Sequence, residues 1–164
     1  MFINFSDIPK NQNLFLDYLY EFENVMEFYK HDFRNKENYV QIFKNILKSR
    51  KDRQLNLSSI IKEQYSTLLN PSNKTLRNID LIEKENTIAV VTGQQLGIFG
   101  GPLYTIYKIL TAIRLANQLT ERYDDFKFVP VFWLEGDDHD FNEVRSINLF
   151  DNENQVINIG YKEE

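Results

Sequence analysis

The sequence predicts an α/β chain in two stretches: a helical N-terminal segment over residues 1–86, then over 87–164 the first βαβ unit of an open parallel sheet with a β-hairpin behind it. Three observations carry this. Apolar residues recur at three- and four-residue steps through the first stretch; two short β-branched or aromatic runs, 87–92 and 128–133, stand one helix apart; and two strand-like runs flank the polar turn Asp151-Asn152-Glu153-Asn154.

Taken in order, Leu14, Tyr18, Leu19, Phe22, Val25, Met26 and Tyr29 form one apolar face on a helix of about five turns. His31 falls near the end of that helix, where the dipole favours positive charge. Val40, Phe43, Ile46 and Leu47 mark a second helix, and Leu57, Ile60, Ile61, Tyr65 and Leu68 a third. Asn70-Pro71-Ser72-Asn73 ends the series, because proline drives the preceding residue out of the helical region; a short helix over 74–85 restarts behind it. The continuous apolar run 87–92 reads as a strand buried on both faces. A helix over 102–121 follows, with Ile106, Ile109, Leu110, Ile113 and Ala116 inward and Lys108, Thr111, Arg114 and Gln118 outward. The second strand, 128–133, has its weak point at Pro130, which cannot donate to a ladder. Runs 143–150 and 155–161 make the hairpin. So few strands leave sheet edges open and the crevice of a doubly wound fold half built, so the chain is expected to be an incomplete domain of a larger protein, inactive alone.

Composition narrows the function. With 164 residues, 42% of them hydrophobic, the chain can bury a sizeable core. A net charge of -5, with lysines scattered along helices, supplies no basic stripe and argues against nucleic acid as a partner. The absence of cysteine excludes disulfides, a thiolate nucleophile and cysteine-built zinc sites in these residues. No stretch approaches the roughly 18 apolar residues of a membrane span. The expectation is a soluble, cytoplasmic protein without a membrane partner.

The first chemically informative segment is 92–108, in which Gly93, Gln94 and Gln95 follow the strand and Gly97, Gly100 and Gly101 lead to Pro102. Pro102 suits the first helical position, where an amide would be unpaired anyway, which puts Gly100 and Gly101 at the cap. Free amides and the positive end of the helix dipole then make an anion site. The glycine spacing is not G-x-G-x-x-G, and Pro102 stands where a P-loop needs lysine, so neither nucleotide fingerprint is present. The plain alternative is a glycine-rich turn with a helix cap, and for Lys108 a solvated helix face.

The second segment is Glu135-Gly136-Asp137-Asp138-His139-Asp140. A right-handed crossover brings it beside 92–95 on the ligand side of the sheet. Carboxylates around His139 would raise its pKa and fix its tautomer, as a general acid or base requires. A metal is the weaker reading, because consecutive residues point in different directions; a solvated acidic turn is the plain one. Trp133 closes the strand before this loop, where a core role is the ordinary reading and ligand stacking the rarer one.

Together TGQQLGIFGGPLYTIYKILTAIRLA and VPVFWLEGDDHDFNEV resemble the N-terminal part of the bacillithiol biosynthesis family BshC, the enzymes held to join cysteine to glucosaminyl malate. The match is dense from Ile88 to Val144. The resemblance implies an amide-forming ligase with a Rossmann-like, nucleotidyltransferase-type core, a coiled coil in the longer protein, and a homodimer. An amide product requires an activated carboxylate, which makes ATP the candidate activator, through an acyl-adenylate or acyl-phosphate; no residue is assigned as a metal ligand, and a role for magnesium stays open. By motif, Thr92, Gly93, Gln94, Gln95, Gly100, Gly101, Tyr104, Thr105, Lys108, Trp133 and Asp137 would bind substrate or nucleotide; Asp138, His139 and Asp140 would be catalytic. The chain departs from the pattern at Asp137, where glutamate is expected, and at Leu96, where proline is common. The competing readings are a non-catalytic nucleotide- or metabolite-binding module and a class I-type nucleotidyltransferase of other specificity, against which the absence of His-x-Gly-His counts.

Overall fold

A computed structural model describes residues 3–51, 56–67, 70–137 and 141–161. The chain divides into two compact units, Met1–Lys48 and Ser49–Glu164. In the first, the expected five-turn helix is broken. Helix α1 (Asn13–Tyr20) stops where Glu21 takes φ -131° and ψ 58°, and a 3-10 turn, Phe22–Asn24, follows. The Asn24 amide holds the break by donating to Asp17 Oδ1 and Glu21 Oε2, each at 3.1 Å. Folding back lets Tyr18 meet Phe22, Tyr29 and Phe33 at centroid distances of 6.0, 4.8 and 5.1 Å. The apolar period therefore reports an aromatic cluster around a turn, not one long helical face. His31 sits in a bend and caps no helix. Helix α2 (Tyr39–Lys51) then carries the chain toward the second unit.

In the second unit, α3 (Leu57–Ser66) packs on α4 (Asn73–Ile82). The Asn70–Asn73 break is real: Asn70 takes φ 55°, and Ser72 caps α4 by accepting from the Thr75 amide at 3.1 Å. Leu68 lies outside the described residues. Asn56 provides no side-chain cap to α3; Glu83, at the end of α4, accepts from the Ser58 amide at 3.2 Å instead. No helix among the described residues is long and apolar enough to cross a membrane.

Strands β1 (Thr87–Gln95) and β2 (Lys127–Glu135) pair in parallel, joined by α5 (Leu103–Arg122), which packs on both. This is the expected βαβ unit, and α4 also packs against the two strands. Pro130 is carried within β2 opposite Val90. With a single ladder, β2 has one side on which a missing N–H costs nothing.

Three details differ from the sequence expectation. First, β1 is not buried on both faces: Thr87 and Ile88 are buried, but Ala89 is exposed and Val91 is 61% exposed. Second, the inner face of α5 is set by small residues, with Thr105, Ala112 and Ala116 buried while Ile106 and Leu110 are exposed. Small side chains let the helix axis approach the strands closely, so they take the innermost positions; Ala116 and the half-buried Ile109 and Ile113 keep the expected side, while Ile106 and Leu110 are turned away. Third, the hairpin strands β3 (Ser146–Phe150) and β4 (Val156–Gly160) are shorter than expected, because Phe141–Val144 forms a single helical turn, α6. The hairpin turn falls at Asp151–Asn154 as expected; Asp151 Oδ1 accepts from the Glu153 and Gln155 amides at 2.8 Å, and Asn154 supplies φ 60°.

Candidate functional site at the carboxyl end of the parallel pair

Gly93, Gln94 and Gln95 were expected to follow the strand as a loop but continue β1 beyond Thr92, so that Thr92 to Gln95 stand opposite Phe132, Trp133, Leu134 and Glu135. Glycine at 93 is a packing requirement. A Cβ there would lie 2.8 Å from the Trp133 carbonyl oxygen, so any side chain would push the strands apart. The ladder is extended by the Leu96 amide, which donates to the Glu135 carbonyl at 3.2 Å. The segments after the two strands thus leave the same edge together.

The chain then makes a tight 3-10 turn, Ile98–Gly100, in which the Gly100 amide donates to the Gly97 carbonyl and the Gly101 amide to the Ile98 carbonyl, both at 3.1 Å. A Cβ on Gly97 would meet Gly101 Cα at 2.8 Å, so this loop closes backbone on backbone. Gly101 has φ 80° and ψ -163°, a region open essentially to glycine alone. Phe99 is held at φ 54° with its side chain 78% exposed, an uncommon conformation for a bulky residue. The hairpin strand β3 packs against this turn.

Pro102 is the N-cap, so the helix starts one position later than the sequence suggested, and the Pro102 carbonyl accepts from the Thr105 amide at 2.9 Å. The amides of Leu103 and Tyr104 precede the first intrahelical bond and are available to a ligand. Directly behind them, Thr105 is only 5% exposed and its buried Oγ1 has no hydrogen-bond partner. That hydroxyl would lie 3.5 Å from a Cβ placed on Gly101, an ordinary contact distance. Lys108, expected on the outer face, is half-buried, and its Nζ donates to Gln94 Oε1 at 3.1 Å. Gln94 Nε2 in turn donates to the Tyr104 hydroxyl at 3.2 Å, and Lys108 Nζ stands 5.7 Å from the Tyr104 ring centroid. Gln95 is half-buried at the strand end.

On β2 the ordinary core reading of Trp133 fails, since it is 63% exposed. Its indole Nε1 donates to Glu135 Oε2 at 3.1 Å, while Glu135 Oε1 accepts from the Asp137 amide at 3.0 Å. Glu135 was not among the expected site residues, yet its carboxylate orients the indole and fixes the first turn of the acidic loop. A carboxylate two residues before a loop amide at a strand end was the signal for it. Asp137 is exposed; Asp138, His139 and Asp140 lie outside the described residues. No group of three or more metal-competent side chains gathers among the described residues.

Two hollows in the described surface lie elsewhere. One of about 450 Å³ is bordered by Asn4, Asp17, Tyr20 and Glu21; the other, about 250 Å³, lies between α4, α5 and β2 near Asn78, Asn117 and Lys127. Both are shallow, and neither combines a cation, free helix amides and an unpartnered buried hydroxyl. Concavity and chemistry therefore point to different places, and the chemistry favours the strand ends.

The family profile described as Bacillithiol biosynthesis BshC, N-terminal Rossmann-like domain, matches residues 1–164. Proteins carrying the name "Putative cysteine ligase BshC" are similar over most of the chain. The one from Christiangramia forsetii is 43% identical over 141 residues, covering 83% of this chain and 25% of that protein. The Chloroherpeton thalassium protein is 40% identical over 143 residues, covering 83% and 25% respectively. That from Staphylococcus epidermidis is 39% identical over 133 residues, covering 81% and 24%. The chain spans about a quarter of the length of these curated relatives.

Proposed function

The chain belongs to the BshC family and carries its Rossmann-like N-terminal domain, and from that premise we propose that it provides part of the active site of a cysteine ligase of bacillithiol biosynthesis. The reaction is amide formation between the carboxyl group of cysteine and the amine of glucosaminyl malate, on a nucleotidyltransferase-type core completed by further chain. ATP supplies the activation of the carboxylate, which otherwise has no leaving group. The complete enzyme works in the cytosol as a homodimer with a coiled coil, on small molecules alone.

The observation that carries this reading is the buried Thr105 hydroxyl without a partner, in the first turn of α5 and close to Gly101. A buried hydroxyl left unsatisfied costs about 1–3 kcal/mol, which a ligand oxygen reaching it would recover. The first-turn amides of α5 and Lys108 would hold phosphate or carboxylate oxygens, since a helix amino terminus and an ammonium both favour negative charge. In the acidic loop His139, flanked by Asp138 and Asp140, would take the proton that the amine loses as the C–N bond forms. Asp137 and Trp133 would border the substrate, with Glu135 holding both.

The test is amide formation from cysteine, glucosaminyl malate and ATP by the complete protein. His139→Ala should lower kcat by about 100-fold or more, the usual scale of general-base loss. Undiminished turnover in that variant would remove the base assignment, and wild-type turnover without ATP would remove the activation step.

A further inference from the structure

We propose that Gln94 is a positioning residue, which orders Lys108 and Tyr104 at the end of β1 while leaving the lysine charge uncancelled, so that this edge selects an oxyanion. The inference rests on the functional reading above and changes the role of Gln94 within it. Both ends of its side chain are already engaged within the protein, so its orientation is set by Lys108 and Tyr104 before any ligand arrives. Its oxygen accepts from Lys108 Nζ at 3.1 Å and its nitrogen donates to the Tyr104 hydroxyl at 3.2 Å.

Bridging an ammonium and a phenol requires one acceptor and one further polar group on the same short side chain. Glutamate would serve equally well in shape. It would also pair with the ammonium and cancel its charge, at a position where half-burial weakens screening. Glutamine holds the lysine by dipole alone. Neither ion pair found among the described residues involves Lys108. An ammonium has three donors, and the contact to Gln94 uses one. Because Gln94 donates to the phenol oxygen, the Tyr104 O–H proton is left to donate elsewhere. Both groups keep a donor to offer beside the helix amino terminus, and the ammonium accepts nothing, which suits a carboxylate or phosphate.

The experiment compares wild type, Gln94→Glu and Gln94→Leu in the complete protein by three readouts: melting temperature, acetylation rate of Lys108 by mass spectrometry, and calorimetric binding of pyrophosphate, ATP and cysteine. Gln94→Glu should keep or raise the melting temperature and leave Lys108 protected, yet weaken oxyanion binding by about tenfold or more, the scale of one charge-assisted contact. Gln94→Leu should free the lysine, raising its acetylation rate several-fold, and weaken binding as well. A purely structural glutamine would not separate stability from binding in this way. Binding by Gln94→Glu equal to wild type, or an unchanged acetylation rate in Gln94→Leu, would overturn the proposal. Pyrophosphate and ATP bind through phosphate, cysteine through carboxylate, so the probe that responds identifies the source of the oxyanion. Wild type binding none of the three would sink the functional reading and with it the selectivity, while the acetylation rates would still decide whether Gln94 positions Lys108.

Discussion

At the amino end of the β1–β2 pair, polar groups are spent on backbone. Arg50 reaches from α2 to the carbonyls of Lys84 at 3.1 Å and Thr87 at 2.9 Å, and to that of Ile82. Asn86 receives the Lys127 amide at 3.0 Å and donates to the Asp125 carbonyl, and Thr120 receives the Phe128 amide. Ile88, Phe126, Phe128 and Val129 are buried there. At the carboxyl end of the same strands, Phe99, Leu103, Tyr104 and Trp133 are exposed, Thr105 keeps an unused hydroxyl, and Lys108 is held by a neutral partner. The difference lies in how the two ends use their polar groups: at the amino end Arg50, Asn86 and Thr120 bond to backbone, although the Thr87 hydroxyl is also buried without a partner, while the carboxyl end combines a lysine held by a neutral side chain with exposed aromatic rings.

Removing Arg50 should have the largest effect. Arg50→Ala strips a guanidinium from three carbonyls, two of them at the carboxyl end of α4, where positive charge is also favoured. The expected loss is about 3 kcal/mol of stability in chemical denaturation. Ligand affinity of the molecules that remain folded should be unchanged. A fall in affinity without a fall in stability would erase the distinction between the two ends.

Thr105→Val tests the opposite end and should move stability the other way. Valine keeps the shape and removes an unsatisfied buried hydroxyl, so a gain of about 1 kcal/mol is expected. Oxyanion binding should weaken in the same variant, measured by titration with pyrophosphate. A variant less stable than wild type, with binding intact, would make Thr105 an ordinary core residue.

How much of this contrast could be read beforehand follows from which residues reveal their surroundings. The βαβ unit, the break at Asn70-Pro71 and the Asp151–Asn154 turn were legible, because proline, asparagine and β-branched runs act through local backbone energetics. Gly93 was misjudged because glycine after a strand looks like a turn, and only the Trp133 backbone across the ladder shows why it belongs inside β1. On α5, Ala116 is buried as expected, but apolar residues lie on more than one face, so periodicity could not choose between Ile106 with Leu110 and the smaller Thr105 and Ala112. The Gln94–Lys108–Tyr104 link joins positions 10 to 14 apart in sequence, and neither glutamine nor lysine advertises a partner at that distance.

Lys62→Met should have the smallest effect, and it delimits what anchors the amino end. Lys62 on α3 meets Asp80 on α4 at 2.6 Å, but both side chains are half or more exposed. The hydrogen bond that Lys62 donates to the Asp80 carboxylate raises its pKa above the ordinary 10.5. A raised folded-state pKa means that the pair's contribution is complete below the unfolded value and is lost as pH rises through the folded one. Wild type should therefore melt slightly above Lys62→Met at neutral pH and low salt, and the two should converge either at high salt or at pH values beyond the raised pKa. A large, salt-insensitive loss would show that surface charge between α3 and α4 carries stability that the carbonyl contacts of Arg50 are here held to supply.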